Sequence, residues 1–558
     1  MSDLRHRTTT TGKQERKRSP EANRSKVVVQ HSSTRLRLIL ILLTVGCLLI
    51  YYFRSASSPK TIRRDVNFTG DDDDEHAINT FNRYPLPDSP WESGPRSAIK
   101  EAIKNSWRAY ADSPAWGSDE FHPISRTGSN LTKAGSIGFM IVDALDTILM
   151  TGEEMKEDYE RARSYVEKDL TFEVDGFLNA FETTIRILGG LLSVYHLSGN
   201  DTLYLDKAVE LGTRLLPIFD TPTGIPYSFI NLKTGQTKAD SDNGGFSSLA
   251  EATTIQLEFK YLAELTQKRV FWDVAERFFD IRLGSRGDSY YEYLIKQYLQ
   301  TNRTQMIYKE MYDTAMTGVK EELVRMTPGG LVYVESASEI LRYKFVPKQD
   351  HLVCFLGGLL MLGVTEGERA LLSMNEVLKL SESAQEDWLL GKELIKTCVN
   401  TYELSTTGLG PEIVQFINRP DQFDKIYQRG WLIPHSDPKS PPLDARNILR
   451  PETVESLFFG WRTTKDPIYR EWGWQIFQAF NEHCKIDDSG AFVSIKDVDR
   501  IPTQKEDRME TFWLAETLKY LLLLFSDDSV IPLSSYVFNT EAHIFPIFTP
   551  TFKSDEDE

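Results

Sequence analysis

Apolar residues recur at helical spacing through most of this 558-residue chain, from about Ile99 to about Phe525. The pattern is typical of helices over Ile99–Tyr110, Ile185–Leu197, Thr254–Leu265, Leu352–Val364, Trp388–Tyr402 and Thr453–Trp461. Strand-like runs are short, at Gly330–Val334 and Ala491–Ser494. The sequence therefore predicts an all-α fold with a few short β-hairpins.

A repeated unit recurs along this helical region: an acid at the start of a helix, the hydrophobic helix itself, and a break at a polar turn. The acids that open such units are Glu182, Glu251, Glu452 and Glu516. After Glu182 and Glu452 the break is followed by a clear second helical stretch. Such helix pairs form either an open solenoid or a closed α/α toroid. We favour the toroid, because it gathers the acids around one cavity, whereas a solenoid would spread them along a groove.

The first part of the chain predicts a membrane anchor. Residues 1–37 are polar and basic, which is typical of a disordered cytosolic tail. Residues 38–54 are almost free of charge and predict a single transmembrane signal anchor, with a cleaved signal peptide as the alternative. The positive-inside rule then places the rest of the chain in the lumen. Residues 55–95, with an acidic run and prolines, predict a lumenal stem, and residues 96–558 the folded domain.

Composition narrows the class of partner. The net charge of −17 argues against nucleic acid, and the 11% aromatic content suits sugar binding. Sequons that fit a lumenal location occur at Asn67, Asn130, Asn200 and Asn302. Outside the predicted membrane segment, which holds Cys47, the cysteines are Cys354, Cys398 and Cys484. One disulfide and one free thiol is the simplest arrangement, and the residues alone do not choose the pair.

Candidate acid chemistry is found at three places. Glu182 and Arg186 lie one helical turn apart, although a helix-dipole acid with an i,i+4 ion pair is the plainer interpretation. Arg450-Pro451-Glu452 sets an arginine and an acid around a proline suited to a first helical turn. In the stretch 285–293, Asp288 could be an N-cap, but a cap does not need the neighbouring tyrosines, which sugar stacking would use.

A polar stretch after the last helix, Phe538–His543, offers a candidate cation site. The hydroxyl and carbonyl oxygens of Thr540 suit a hard cation such as Ca²⁺. The sequence contains no EF-hand loop, HExxH motif, Cys/His zinc spacing, GxSxG elbow or Walker loop. The motifs therefore favour chemistry carried by several acids, and the candidate cation site rests on Thr540 alone.

At these residues the chain closely resembles the class I α-1,2-mannosidases of glycoside hydrolase family 47. The matching stretches lie in family order over roughly residues 96–550: Ala115–Glu120, Val142–Thr147, Phe181–Leu192, Leu283–Tyr293, His351–Phe355, Gly408–Glu412, Leu449–Ser456, Glu516–Tyr520 and Asn539–His543. The resemblance implies an (α/α)7 barrel in a monomeric, single-pass type II membrane protein of the endoplasmic reticulum or Golgi. It also implies Ca²⁺-dependent, inverting removal of α-1,2-linked mannose from high-mannose N-glycans.

The same resemblance implies roles for individual residues. Glu182 would be the general acid, acting through a water, Glu452 the general base, and Asp288 an alternative or assisting acid. Thr540 would ligate Ca²⁺, and Cys354 and Cys398 would form the disulfide. The sugar subsite would be lined by Arg186, Glu251, Arg286, Glu292, His351, Glu412, Arg450, Phe512, Glu516 and Glu541. The spacing requirement agrees, because inversion needs two carboxyls about 6.5–9.5 Å apart, which acids on separate helices can meet.

The chain departs from the family pattern just before Asp288. Family members carry an additional helix end and strand-rich hairpin there, and this segment is absent between Val270–Phe279 and Ile281–Gly284. Its loss predicts poor packing near Phe278–Leu283 and leaves a second hypothesis open. The chain could be a lectin-like relative that binds mannose glycans and directs misfolded glycoproteins to degradation with little hydrolysis. The acid set and the N-terminal anchor favour the enzyme, and a helical scaffold protein would not explain Arg450–Glu452.

Overall fold

The computed structural model describes residues 81–276, 288–338, 344–418, 429–434 and 441–552. These residues are mostly helical, as the sequence predicts. The main helices are Gly94–Ala111, Phe139–Thr151, Lys156–Lys168, Gly189–Leu197, Thr202–Leu215, Gln256–Thr266, Arg269–Glu276, Asp288–Gln300, Met306–Glu322, Phe355–Thr365, Glu382–Glu403, Glu452–Thr464, Ile468–His483 and Leu518–Leu524. Shorter helices are Ala180–Glu182, Leu249–Thr253 and Met374–Val377, with 3₁₀ turns at Glu153–Met155, Leu216–Phe219, His351–Cys354 and Leu443–Ala445.

Seven of these helices are buried almost all round, although several of them carry charged residues. In chain order they begin at Phe139, Gly189, Gln256, Asp288, Phe355, Glu452 and Leu518. Each packs against the next one in this order. The wide-turn segment that leads into Leu518–Leu524 packs in turn against Phe139–Thr151. The intervening helices, such as Lys156–Lys168 and Met306–Glu322, alternate buried and exposed positions.

Glycines let the inner helices approach closely. A Cβ atom on Gly190 would lie 2.7 Å from the carbonyl oxygen of Val142 on the neighbouring helix. One on Gly358 would lie 2.8 Å from the Cα of Ser456. Neither backbone atom can move aside without shifting a helix, so larger residues are excluded at these two positions.

The strands form small antiparallel sheets at the helix ends. They are Glu120–His122, Thr127–Ser129, Phe177–Asn179, Phe229–Asn231, Thr237–Lys238, Val324–Met326, Val332–Val334, Ser336–Ser338, Lys344–Val346, Lys348–Asp350, Ile413–Phe416, Trp431–Leu432, Tyr536–Phe538 and Ile544–Pro546. The last two pair as a hairpin in which Val537 faces Phe545. The strand-like run Gly330–Val334 does contain a strand. The run Ala491–Ser494 was predicted wrongly as a strand, since it forms only an isolated bridge between Phe492 and Lys485.

The segment from Phe81 to Trp91 packs against the domain, ahead of the predicted domain start at residue 96. The backbone N–H of Tyr84 donates to Gln475 Oε1 at 2.7 Å, and Gln475 Nε2 donates back to the Tyr84 carbonyl at 2.7 Å. Trp91 stacks on Phe525 with ring centroids 5.5 Å apart. Within the described ranges no helix is long and apolar enough to cross a membrane. The tail 1–37, the anchor 38–54 and the stem up to residue 80 lie outside those ranges.

Candidate active site

Glu182 and Arg186 lie at the start of one inner helix. Asn179 caps this helix, because its Oδ1 accepts from the Glu182 N–H at 2.9 Å. The next turn, Thr183–Leu188, is a wide π-helical turn, a feature often found at functional sites. Arg186 Nε donates to Glu182 Oε2 at 2.8 Å, so the i,i+4 pair predicted from the sequence is formed. The Glu182 side chain remains 41% exposed and can be reached by water.

Arg186 connects Glu182 to the residues behind it. Its NH1 group donates to Thr511 Oγ1 at 3.1 Å and to the carboxylate of Glu541. The same nitrogen lies 3.4 Å from Asp143 Oδ2. Three acids therefore share one guanidinium, which holds its pKa well above the ordinary value although burial acts in the opposite direction.

Glu452 occupies a different environment. His351 Nδ1 donates to Glu452 Oε2 at 2.6 Å, while His351 Nε2 lies 2.8 Å from the Tyr402 hydroxyl. Arg450 NH1 lies 3.6 Å from the other carboxylate oxygen of Glu452. Arg450 Nε in turn donates to Glu412 at 2.9 Å. Burial alone would raise the pKa of Glu452, but the bond from His351 and the charge of Arg450 outweigh it and lower that pKa.

Phe512 lies between these two groups. Its ring centroid is 5.8 Å from the Arg186 guanidinium carbon and 5.7 Å from that of Arg450. Glu182 and Glu452 thus lie on separate helices. Each is beside an arginine, and the two arginines share one aromatic neighbour. Phe512 is itself buried, so its ring packs beside both arginines.

A third group of charges is fully buried beside Glu452. Lys296 forms an ion pair with Glu292 and lies 3.7 Å from Glu455. Burial, together with the charges of Glu292 and Glu452, raises the pKa of Glu455 to about 8. Burial, followed by the charges of Glu541 and Glu452, raises the pKa of Glu516 well above the ordinary value. Acidic groups therefore outnumber cationic groups in this part of the interior.

Thr540 lies in the turn of the last hairpin, next to this acidic interior. Its backbone N–H lies 3.5 Å from the hydroxyl of Tyr293, which donates to Glu258 Oε1 at 2.8 Å. The other oxygen of Glu258 is buried without a hydrogen-bond partner. Burial raises the pKa of Glu258 to about 7. A buried carboxylate surplus of this kind suits a cation beside Thr540.

Comparison with known proteins identifies the family. The profile of Glycosyl hydrolase family 47 matches residues 102–282 and 276–547. The Candida albicans mannosyl-oligosaccharide 1,2-alpha-mannosidase is 44% identical over 499 aligned positions, covering 82% of this chain and 84% of its own. The Saccharomyces cerevisiae endoplasmic reticulum mannosyl-oligosaccharide 1,2-alpha-mannosidase is 41% identical, covering 82% and 91%. The structure of alpha-1,2-mannosidase from Trichoderma reesei superposes with a TM-score of 0.69 at 26% identity, covering 81% and 99%. This chain belongs to glycosyl hydrolase family 47.

The family 47 match is interrupted near the predicted deletion. Its two parts meet at residues 276–282. The alignment with the Candida enzyme is 499 positions long, but it uses only 82% of the 558 residues of this chain. The aligned part of this chain is therefore shorter than the alignment, which means that the alignment contains gaps in this chain. Residues 277–287 lie outside the described ranges, and the poor packing expected near Phe278–Leu283 stays a prediction.

The structure brings most of the residues expected from the family 47 resemblance into these groups. Glu251 lies at their edge, where its Oε1 accepts from Asn179 Nδ2 at 3.3 Å. Asp288 begins the helix Asp288–Gln300, but its side chain and the whole of Arg286 lie outside the described residues. The Cys354–Cys398 disulfide is present, and Cys484 is a buried free thiol. The sequon residues Asn130, Asn200 and Asn302 are exposed, while Asn67 lies outside the described residues.

Sequence reasoning missed several charged residues of the site. They are Asp143, Glu258, Lys296 and Glu455. A usable signal existed, because each interrupts an otherwise apolar helical run, where a charge is costly unless it is paired. Their partners come from other helices or from the final hairpin, and a single sequence does not reveal those pairings.

Proposed function

We propose that this chain hydrolyses terminal α-1,2-linked mannose from high-mannose N-glycans, with inversion, during glycoprotein processing. The names of the family 47 relatives support this activity. The single observation that carries it for this chain is the pairing of a water-accessible Glu182 with a Glu452 whose pKa is lowered by His351 and Arg450. One acid is suited to proton donation through water and the other to proton acceptance.

Glu452 is the general base in this proposal. Its lowered pKa keeps it as a carboxylate, which accepts a proton from the attacking water. His351 is buried, and both of its ring nitrogens have partners, so it acts by orienting Glu452. Arg450, itself held by Glu412, fixes the other side of the carboxylate.

Glu182 is the general acid in this proposal. Arg186 orients it, and its exposure leaves room for the water through which the proton reaches the leaving oxygen. Asp288 is the alternative or assisting acid. The separation that inversion requires, about 6.5–9.5 Å between carboxyls, suits acids on different helices whose arginine partners both lie beside Phe512.

Calcium is the proposed cofactor. The described residues contain no cluster of three or more His, Cys, Asp or Glu side chains arranged to hold a metal. Threonine oxygens and the surplus of buried carboxylates nevertheless fit a hard cation with water and sugar hydroxyls as further ligands. Thr540 would hold the ion through its carbonyl and hydroxyl oxygens. When bound, calcium would orient sugar hydroxyls and water in the site.

The proposed architecture is the (α/α)7 barrel. The order in which the seven buried helices pack, with the last segment against the first helix, supports it. The proposed setting is the lumen of the endoplasmic reticulum, which the name of the yeast relative supports. We also propose a type II membrane anchor at residues 38–54 and a monomeric state. The Golgi remains the alternative location from the sequence.

The deciding experiment incubates residues 81–558, secreted from a eukaryotic host, with a high-mannose N-glycan, with and without a calcium chelator. We expect mannose release that the chelator abolishes and that Glu452→Gln removes. Exposed Glu160→Gln is the matched control and should leave the rate unchanged. Folded protein that binds the glycan without releasing mannose would favour the lectin-like alternative.

A further inference from the structure

A chain of alternating charges connects the Thr540 turn to Arg186. Lys519 Nζ donates to Asp146 Oδ2 at 2.9 Å, and His543 Nδ1 donates to the same oxygen at 2.9 Å. His543 Nε2 donates to Asp143 Oδ1 at 3.1 Å. Asp143 Oδ2 lies 3.4 Å from Arg186 NH1. The side chains of Lys519, Asp146, His543 and Asp143 are completely buried.

His543 is the centre of this chain. Each of its ring nitrogens faces a carboxylate, which only accepts hydrogen bonds, so both nitrogens carry protons and the ring is a cation. Burial would lower the pKa of His543, but the charge of Asp146 and the bonds to both aspartates outweigh it and raise that pKa. A neutral side chain could not satisfy both carboxylates in the same way.

One end of the chain fixes the turn that carries Thr540. Lys519 Nζ also donates to the Ala542 carbonyl at 2.8 Å. The His543 N–H donates to Asn539 Oδ1 at 2.8 Å, and Asn539 Nδ2 donates to the Ile185 carbonyl at 2.9 Å. The turn is therefore attached to two inner helices. Its direct contact with Asp143 is made by His543, while Glu541, the residue after Thr540, connects the turn to Arg186 itself.

The other end reaches the proposed general acid. Asp143 contacts Arg186, and Arg186 contacts both Glu182 and Glu541. A shift of the Asp143 carboxylate would therefore move the Arg186 guanidinium and, with it, the Glu182 carboxylate.

We propose that His543 is a positioning residue that couples the geometry of the Thr540 turn to the Arg186–Glu182 pair. This inference rests on the proposed function for its reaction and on the proposed cation site for its binding partner. His543 does not touch the sugar. It holds the turn through Asp146 and the arginine through Asp143, so that cation binding and acid orientation both depend on this buried ring, in parallel with the direct Glu541–Arg186 pair.

The test uses residues 81–558 carrying His543→Gln or Asp143→Asn. Two quantities are measured: calcium affinity, from the calcium-dependent rise in melting temperature of chelator-treated protein, and kcat and KM for mannose release. His543→Gln should weaken calcium binding about 10–100-fold and lower kcat more than it raises KM. Asp143→Asn leaves the Asp146 side intact, so it should lower kcat while calcium affinity stays within about 3-fold. The double variant should lose no more kcat than His543→Gln alone, since both changes break one connection.

Arg470→Gln is the matched control, because Arg470 is a buried cation that bonds the Leu524 and Ser526 carbonyls, beyond the end of the Lys519 helix that is farther from Asp146. It should lower the melting temperature and leave calcium affinity unchanged. Equal calcium affinity in His543→Gln and wild type, or a wild type that binds no calcium, would overturn the coupling. If His543→Gln does not fold, Asp143→Asn still decides, since an unchanged kcat contradicts the proposal. An inactive wild type would defeat the proposed function alone, because the calcium titration needs no turnover.

Discussion

Glu182 and Glu452 are similar in sequence, each an acid at a helix start beside an arginine, yet the fold gives them different chemistry. The spacing of Glu182 and Arg186 predicted their ion pair because i,i+4 neighbours share a helix face. No local pattern predicted that His351, 101 residues before Glu452, would donate to it. The lowered pKa of Glu452 is a product of tertiary packing, and only the resemblance indicated its role.

Replacing the proposed base tests the residue assignment directly. Glu452→Gln keeps the size of the side chain and removes the proton acceptor. We expect kcat to fall by about 10²–10⁴-fold with KM changed only a few-fold. Steady-state kinetics on a high-mannose glycan measures both values. A raised KM with an unchanged kcat would instead assign Glu452 to the sugar contact.

Replacing His351 should change the pH profile. His351→Asn removes the bond that helps to lower the Glu452 pKa, so burial then raises it. The base works only as a carboxylate, and its rate is lost as pH falls through its pKa. The acidic limb of kcat should therefore move to higher pH in the variant, measured from about pH 4 to 8. An acidic limb at the wild-type position would show that His351 does not set this pKa.

At the scale of elements, hydrophobic periodicity predicted the helices well and their irregular turns poorly. The stretch Leu352–Val364 is divided into the 3₁₀ turn His351–Cys354 and the helix Phe355–Thr365. The helices at Glu182 and Glu516 begin with wide π turns, Thr183–Leu188 and Trp513–Thr517. Such turns depend on packing against neighbouring helices, and the residues within them have ordinary helical patterns. The sequence likewise indicates only a polar stretch where the final hairpin lies.

The disulfide joins two elements that support the base. Cys354 follows His351 by one turn, and Cys398 precedes Tyr402 by one turn, while His351 and Tyr402 are themselves hydrogen-bonded. Removing a cross-link with a sequence separation of 44 should lower the free energy of unfolding by about 4 kcal/mol. Because the His351 turn would loosen, Cys354→Ala/Cys398→Ala should also lower kcat.

Denaturant unfolding and steady-state kinetics check this expectation. Cys484→Ala is the control, since Cys484 is buried but forms no disulfide. Full activity in the double variant would show that the turn at His351 holds its position without the cross-link.

At the scale of the whole molecule, the interior holds more acid than it can pair without a cation. In the absence of a cation, burial raises the pKa of Glu258 to about 7 and of Glu455 to about 8. The folded state then holds protons that the unfolded state releases near 4.5, so stability falls as pH rises from about 4.5 to 8. The overall helical architecture was predictable from sequence, but this electrostatic imbalance required the packed structure.

Calcium should therefore stabilise the protein more at higher pH. The melting temperature of chelator-treated protein should fall between pH 5 and about 8, and added calcium should reverse most of that fall. Calorimetry in matched buffers measures the melting temperature with and without calcium, and magnesium is the control cation. A calcium effect of equal size at both ends of the range would contradict this source of the stabilisation.

The packing of Phe81–Trp91 has a practical consequence for where the polypeptide can be cut. Gln475 is completely buried, and both ends of its amide are satisfied by the backbone of Tyr84. A fragment that starts at residue 81 keeps these bonds and the Trp91 cover over Phe525. One that starts at residue 96 removes both backbone partners of this amide and uncovers the ring of Phe525. Proteolytic release of the catalytic domain should therefore tolerate cleavage just before Phe81 and damage the last helix pair when it occurs beyond Trp91.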